Sequence, residues 1–173
     1  MMTRRAGRGR HAASSARAYA ATAGSSVGSS GNLVVISGGN YTVTSAGSLA
    51  SGSATDNFYY YNLQVTGDAD LTGRVVSMSN TSSTARGGLM IRGSAANNAV
   101  SSGIFTTAAS GLQSIVRTTS GSNSIGTTVA GPTRPYWLKV SRRGTTFTTY
   151  DSVDGLTWTL VQTDTDRKST RLN

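Results

Sequence analysis

The chain has 173 residues, no cysteine and a formal charge of +9, although only 13% of its residues are charged. That length carries one domain with a real core and leaves little for a second. The missing cysteines exclude a disulfide framework and any thiolate metal site. The charge would suggest nucleic acid if it were evenly spread, but residues 1–31 hold Arg4, Arg5, Arg8, Arg10 and Arg17 with no acid, and residues 166–173 hold Arg167, Lys168 and Arg171 against Asp166. Between them, residues 32–165 set eight bases against six aspartates. The body is nearly neutral and lacks the gathered basic surface that phosphate binding needs, so no nucleic-acid partner is expected.

Taken in chain order, residues 1–31 are Arg, Ala, Ser and Gly without the apolar run of about 7–15 residues that a secretory signal requires. They read as a disordered or non-native arm. No stretch approaches the ~18–20 apolar residues needed to cross a bilayer, so no membrane partner is expected. From Asn40 one theme repeats, a run of alternating or β-branched residues closed by Gly, Ser, Asn or Asp. The runs are Tyr41–Thr44, Phe58–Val65, Leu71–Met78, Gly88–Arg92, Val100–Thr107, Leu112–Thr118 and Ser124–Val129. Short strands with turn residues between them predict an all-β sandwich or barrel, and no window keeps the i, i+3, i+4, i+7 spacing of a helix.

The last runs are the clearest. Tyr136, Leu138 and Val140 alternate with Trp137, Lys139 and Ser141, Arg143-Gly144 turns the chain, and Thr145–Tyr150 runs back. Asp154-Gly155 then leads into Leu156–Val161. Asp-Gly between two such runs predicts a tight hairpin, because a type I′ turn needs positive φ at both central residues. Ser152-Val153-Asp154-Gly155-Leu156-Thr157-Trp158 resembles a sialidase Asp-box, but it is one residue short and occurs once, whereas propellers repeat it. It reads as a hairpin of the same general type.

The final eight residues, Asp166 to Asn173, match the translation of GAT CGG AAG AGC ACA CGT CTG AAC, which resembles a sequencing adapter. Residues 166–173 are accordingly set apart from the domain, which is taken as residues 32–165.

Pro135-Tyr136-Trp137-Leu138-Lys139-Val140, Arg143-Gly144-Thr145-Thr146-Phe147-Thr148 and Ser152 to Trp158 together resemble the closing meander of secreted bacterial concanavalin A-like lectin/glucanase domains. Leu63 to Asp68 leading into Leu71 to Val75, and Ala85 to Arg92, are similar to upstream parts of the same family. The resemblance covers about 125 residues. It implies a two-sheet antiparallel jelly roll that serves as an accessory module, extracellular or at the cell surface, covalently joined to other domains and often beside carbohydrate-active enzymes. The family continues past the Trp hairpin into a further strand, so the domain is expected to lack its last strand or strands.

Catalysis is not expected. The related glucanases use two glutamates, glycoside hydrolysis needs a pair of carboxylates across the bond, and this chain has seven aspartates and no glutamate. Asp68 and Asp70 would share a face of an extended chain, but turn chemistry after Gly67 accounts for them. The single histidine, His11, lies in the arm, which removes Ser-His-Asp and His-metal sites from the body. No cofactor is expected; calcium is possible by residue type alone at Asp56, Asp68 and Asp70.

A polysaccharide or glycan is the partner the resemblance suggests. Sugar recognition uses aromatic rings and planar polar groups, and strand alternation sorts which of these face outward. Leu89 and Ile91 point to the core and leave Met90 and Arg92 on the other face. Leu112, Ser114 and Val116 oppose Gln113, Ile115 and Arg117, and with Leu138 and Val140 inward, Trp137 and Lys139 are outward. Arg92, Arg117 and Trp137 are therefore the candidate carbohydrate contacts, and Trp158 is expected to bury against the meander. The alternative is a structural spacer or adhesion repeat that binds nothing small.

Overall fold

The computed structural model describes residues 25–37, 39–108, 111–131 and 134–165. The described residues form twelve strands: β1 (Ser25–Val27), β2 (Gly31–Ser37), β3 (Asn40–Ser45), β4 (Phe58–Tyr60), β5 (Ala69–Val75), β6 (Arg86–Arg92), β7 (Ser101–Thr107), β8 (Gly111–Arg117), β9 (Ile125–Ala130), β10 (Tyr136–Arg143), β11 (Thr146–Ser152) and β12 (Thr159–Thr165). They form two four-stranded antiparallel sheets, β12-β11-β10-β5 and β6-β7-β8-β9, and two small ribbons, β1-β4 and β2-β3. The chain is all-β, as its short β-branched runs predict.

The two large sheets pack face to face. Ile104 and Leu112 of one sheet and Tyr136, Leu138 and Val140 of the other are fully buried together, with Val75, Leu89, Ile91, Val129 and Val161 packed around them. Each such side chain removed from water stabilises the fold by about 1.5–3 kcal/mol. The sheets also share a buried polar contact, with the hydroxyls of Ser114 and Thr149 3.2 Å apart across the core. A slip in register between β11 and β12 at Thr149/Tyr150 lets Val161 turn into the core while Leu160 stays exposed.

Strands β7 and β8 are buried along nearly their whole length, on the outer face as well as the inner. Their outer face is covered by the segment 48–57, which crosses it as a strap. Gly52 N donates to Ser124 O at 2.7 Å and Ser124 N to Ser53 O at 2.9 Å. The Ser124 hydroxyl donates to Ala50 O at 2.9 Å, and Asp56 N donates to Asn97 O at 2.8 Å. Ile115, an outward residue by alternation, is consequently 1% exposed.

Four expectations change. Residues 25–31 belong to the folded body: β1 pairs with β4 and Val27 is 2% exposed. The sequence disguised them because Val27 is the lone large apolar residue among Ser and Gly. The run Phe58–Val65 is a strand only to Tyr60. The tight turn is Gly144-Thr145, since Arg143 pairs with Thr146 and Gly144 takes the positive φ, +57°. The Asp154-Gly155 connection is not a two-residue hairpin; it runs from Val153 to Trp158 before β12 begins at Thr159. Residues 1–24 and the tail 166–173 lie outside the described residues.

Candidate functional site

Arg92 and Arg117 sit where alternation puts them, on the outer face of β6-β7-β8-β9. The strap, however, seals them there. Arg117 is 1% exposed and its guanidinium grips Asp56 with two prongs, Nη2 to Oδ1 at 2.7 Å and Nη1 to Oδ2 at 2.9 Å. Arg117 also donates to Ser53 O and Ser122 O. Arg92 Nη1 reaches Asp56 Oδ2 at 2.5 Å, and its guanidinium lies 5.2 Å from the centre of the Phe58 ring. Burial alone would push the Asp56 carboxyl up; Arg117 and Arg92 more than offset this and hold it below the usual carboxylate range. The cluster fixes the strap to the sheet. Neither arginine faces solvent, and both lie on the opposite side of the sandwich from Trp137. The three candidate contacts therefore do not converge on one patch.

The other two calcium candidates, Asp68 and Asp70, are committed within the fold too. Asp68 Oδ1 accepts from Gly144 N at 2.7 Å, and Asp70 Oδ2 pairs with Arg143 Nη2 at 2.7 Å, which holds the Asp70 carboxyl low. These bonds tie the start of β5 to the β10–β11 turn. Among the described residues no group of three metal-ligating side chains gathers.

The outer face of β12-β11-β10-β5 is different because among the described residues no strap covers it. Register places Trp137 opposite Ser152 and Arg74, and Lys139 opposite Tyr150 and Thr72. The Lys139 ammonium lies 4.5 Å from the centre of the Tyr150 ring and 4.1 Å from that of Trp158. Trp137 is roofed by Gly155, where a Cβ would come within 2.9 Å of the indole Cε2. Trp137, Lys139, Tyr150 and Trp158 are all half-buried and Arg74 is exposed. The result is three aromatic rings and a fixed ammonium on one solvent-facing surface.

The loop that brings Trp158 there is held by Asp154. Its Oδ1 accepts from the Ser152 hydroxyl at 2.9 Å and from Leu156 N and Thr157 N, each at 2.8 Å. The Ser152 hydroxyl in turn accepts from Gly155 N at 2.8 Å. The backbone donors from Thr157 and Leu156 stabilise the carboxylate and draw its pKa down to about 2. This network is why Ser, Asp, Gly and Thr stand at their positions in the loop. Asp-Gly correctly marks the turn, and Asp154 shapes the whole of it.

The candidate surface was partly readable. Trp137 and Lys139 follow from alternation on β10. Tyr150 and Trp158 require the register of β11 against β10 and the course of the Asp154 loop. Trp158, expected to bury against the meander, is half-buried there and carries Lys139 of β10 on its ring.

A cleft between the sheets, lined by Ile91, Val100, Val116, Phe147 and Asp164 among others, has a free volume of about 20 Å³. That is room for a water and not for a sugar ring. No family model, no curated protein and no solved structure matches the chain.

Proposed function

We propose that the protein is a non-catalytic carbohydrate-binding accessory module of a larger secreted or cell-surface protein, built on a concanavalin A-like jelly roll. The observation that carries this reading is the face where the Tyr150 and Trp158 rings hold Lys139, with Trp137 beside it on the same strand. Aromatic rings beside hydrogen-bond donors suit the apolar faces and hydroxyls of a pyranose. A shallow, open surface of this kind suits a chain of sugars rather than a small molecule enclosed in a pocket. The absence of glutamate supports the non-catalytic part.

A glycan microarray probed with the 173-residue chain tests it. Selective binding that is lost in Trp158→Ala, with the variant still folded by circular dichroism, is the expected result. A blank array from folded protein would discard the module and leave a structural spacer.

A further inference from the structure

The same face carries an electrostatic bias that names the class of glycan, an inference that rests on the glycan-binding reading. Lys139 and Arg74 form no ion pair among the described residues. They stand on adjacent strands, diagonal to each other and two register positions apart, since Arg74 faces Trp137 and Thr72 faces Lys139. On the outward positions of the four strands the one acid is Asp70, and Arg143 already neutralises it at 2.7 Å. The nearby Asp154 spends Oδ1 on three donors of its own loop. Lys139 feels Asp70 only at a distance, so two cations remain outside any ion pair among the described residues, beside the aromatic rings.

Lys139 is also held in place. A lysine normally gives up much side-chain freedom on binding, which weakens the contact it makes. Here Tyr150 and Trp158 already confine the ammonium from two sides by cation–π attraction, so less freedom is lost when an anion arrives. The ammonium has three donors, and the rings satisfy none of them as a hydrogen-bond acceptor would. Arg74 adds a planar fork suited to a carboxylate or a sulfate.

The geometry points to an acidic polysaccharide as the ligand, its carboxylate or sulfate groups bound by Lys139 and Arg74 and its sugar rings resting against the aromatic side chains. Asp70–Arg143 borders the site and repels neither charge.

Four probes test this with the full chain: polygalacturonate and its carboxyl-reduced form, and dextran sulfate and dextran. Binding to polygalacturonate alone would assign carboxylate recognition, and binding to dextran sulfate alone would assign sulfate. In either case Arg74→Gln/Lys139→Gln should weaken affinity about tenfold or more, from the loss of charge-assisted hydrogen bonds. Because residues 1–31 are themselves basic, Arg4→Gln/Arg5→Gln serves as the charge-matched control and should leave affinity unchanged. Equal losses in the two double variants would overturn the inference, since the attraction would then be diffuse. Binding to the neutral forms as tightly as to the acidic ones would overturn it while leaving the glycan-binding reading intact. If none of the four probes binds and the microarray is also blank, both readings fall.

Discussion

Asp56 and Arg117, 61 residues apart in sequence, meet in a buried two-pronged ion pair with contacts of 2.7 and 2.9 Å. The pair joins the strap to the end of β8, and Arg92 adds a third charge to it. Removing Arg117 leaves Asp56 paired with Arg92, whereas removing Asp56 leaves two guanidiniums without their counter-charge out of water. Asp56→Asn is therefore expected to cost about 3–5 kcal/mol, the range for breaking a buried pair, measured by urea unfolding. The double variant Asp56→Asn/Arg117→Met should be less destabilised than the sum of the single variants. Strict additivity would show that the two side chains do not interact.

Acid should loosen the strap before the core. The folded-state pKa of Asp56 lies below its unfolded value, so its contribution is complete above about 3.9 and is lost as pH falls through the folded value. Asp154 behaves alike, with its contribution fading as pH drops toward about 2. Hydrogen exchange followed from pH 5 down to pH 2.5 should show the amides of Gly52 and Asp56 losing protection ahead of those of β10. Uniform loss would contradict this order.

Asp164 runs the other way. Burial pushes its carboxyl up, with Gln162 pulling only partly against it, and its Oδ2 has no hydrogen-bond partner among the described residues. A raised folded pKa favours the protonated form, so this group supports the fold at low pH and weakens it as pH rises through that value. Asp164→Asn should stabilise the protein at pH 7 by about 1 kcal/mol, the lower end for a poorly satisfied buried acceptor. The gain should shrink toward pH 3. A loss at pH 7 in thermal melts would refute it.

Gly155 has φ +76° and leaves no space for a side chain above Trp137. Gly155→Ala should cost at least ~1–2 kcal/mol from the left-handed backbone alone. It should also displace the indole, which intrinsic fluorescence would register. An unshifted spectrum would mean that the roof can yield.

Leu138 is 0% exposed at the centre of the core. Leu138→Ala should destabilise by about 2–5 kcal/mol, while the exposed Thr72→Ala on the neighbouring strand should be nearly silent. Comparable losses would mean that the buried cluster is not the main source of stability.

The sequence was most readable where local pattern decides the outcome. Alternation on β10 and β8 sorted Leu138 from Trp137 and Val116 from Arg117, because strand period does not depend on what lies elsewhere. It could not distinguish outward from exposed. Arg117 is outward and buried because a strap 61 residues earlier in the chain covers it, and nothing near Arg117 announces that cover. Asp56, a calcium candidate by residue type, is the counter-charge for two arginines, a role visible only once the fold brings them together. Trp158 was expected against the meander, but its partner there, Lys139, was hidden for the same reason, since that contact depends on how Asp154 bends the loop.

The strap gives the sandwich a back and a front. Because the chain contains no cysteine, a single Ser51→Cys at the exposed strap position would be a unique chemical handle on the back. Immobilised through it, every molecule would present Trp137, Lys139 and Trp158 away from the support.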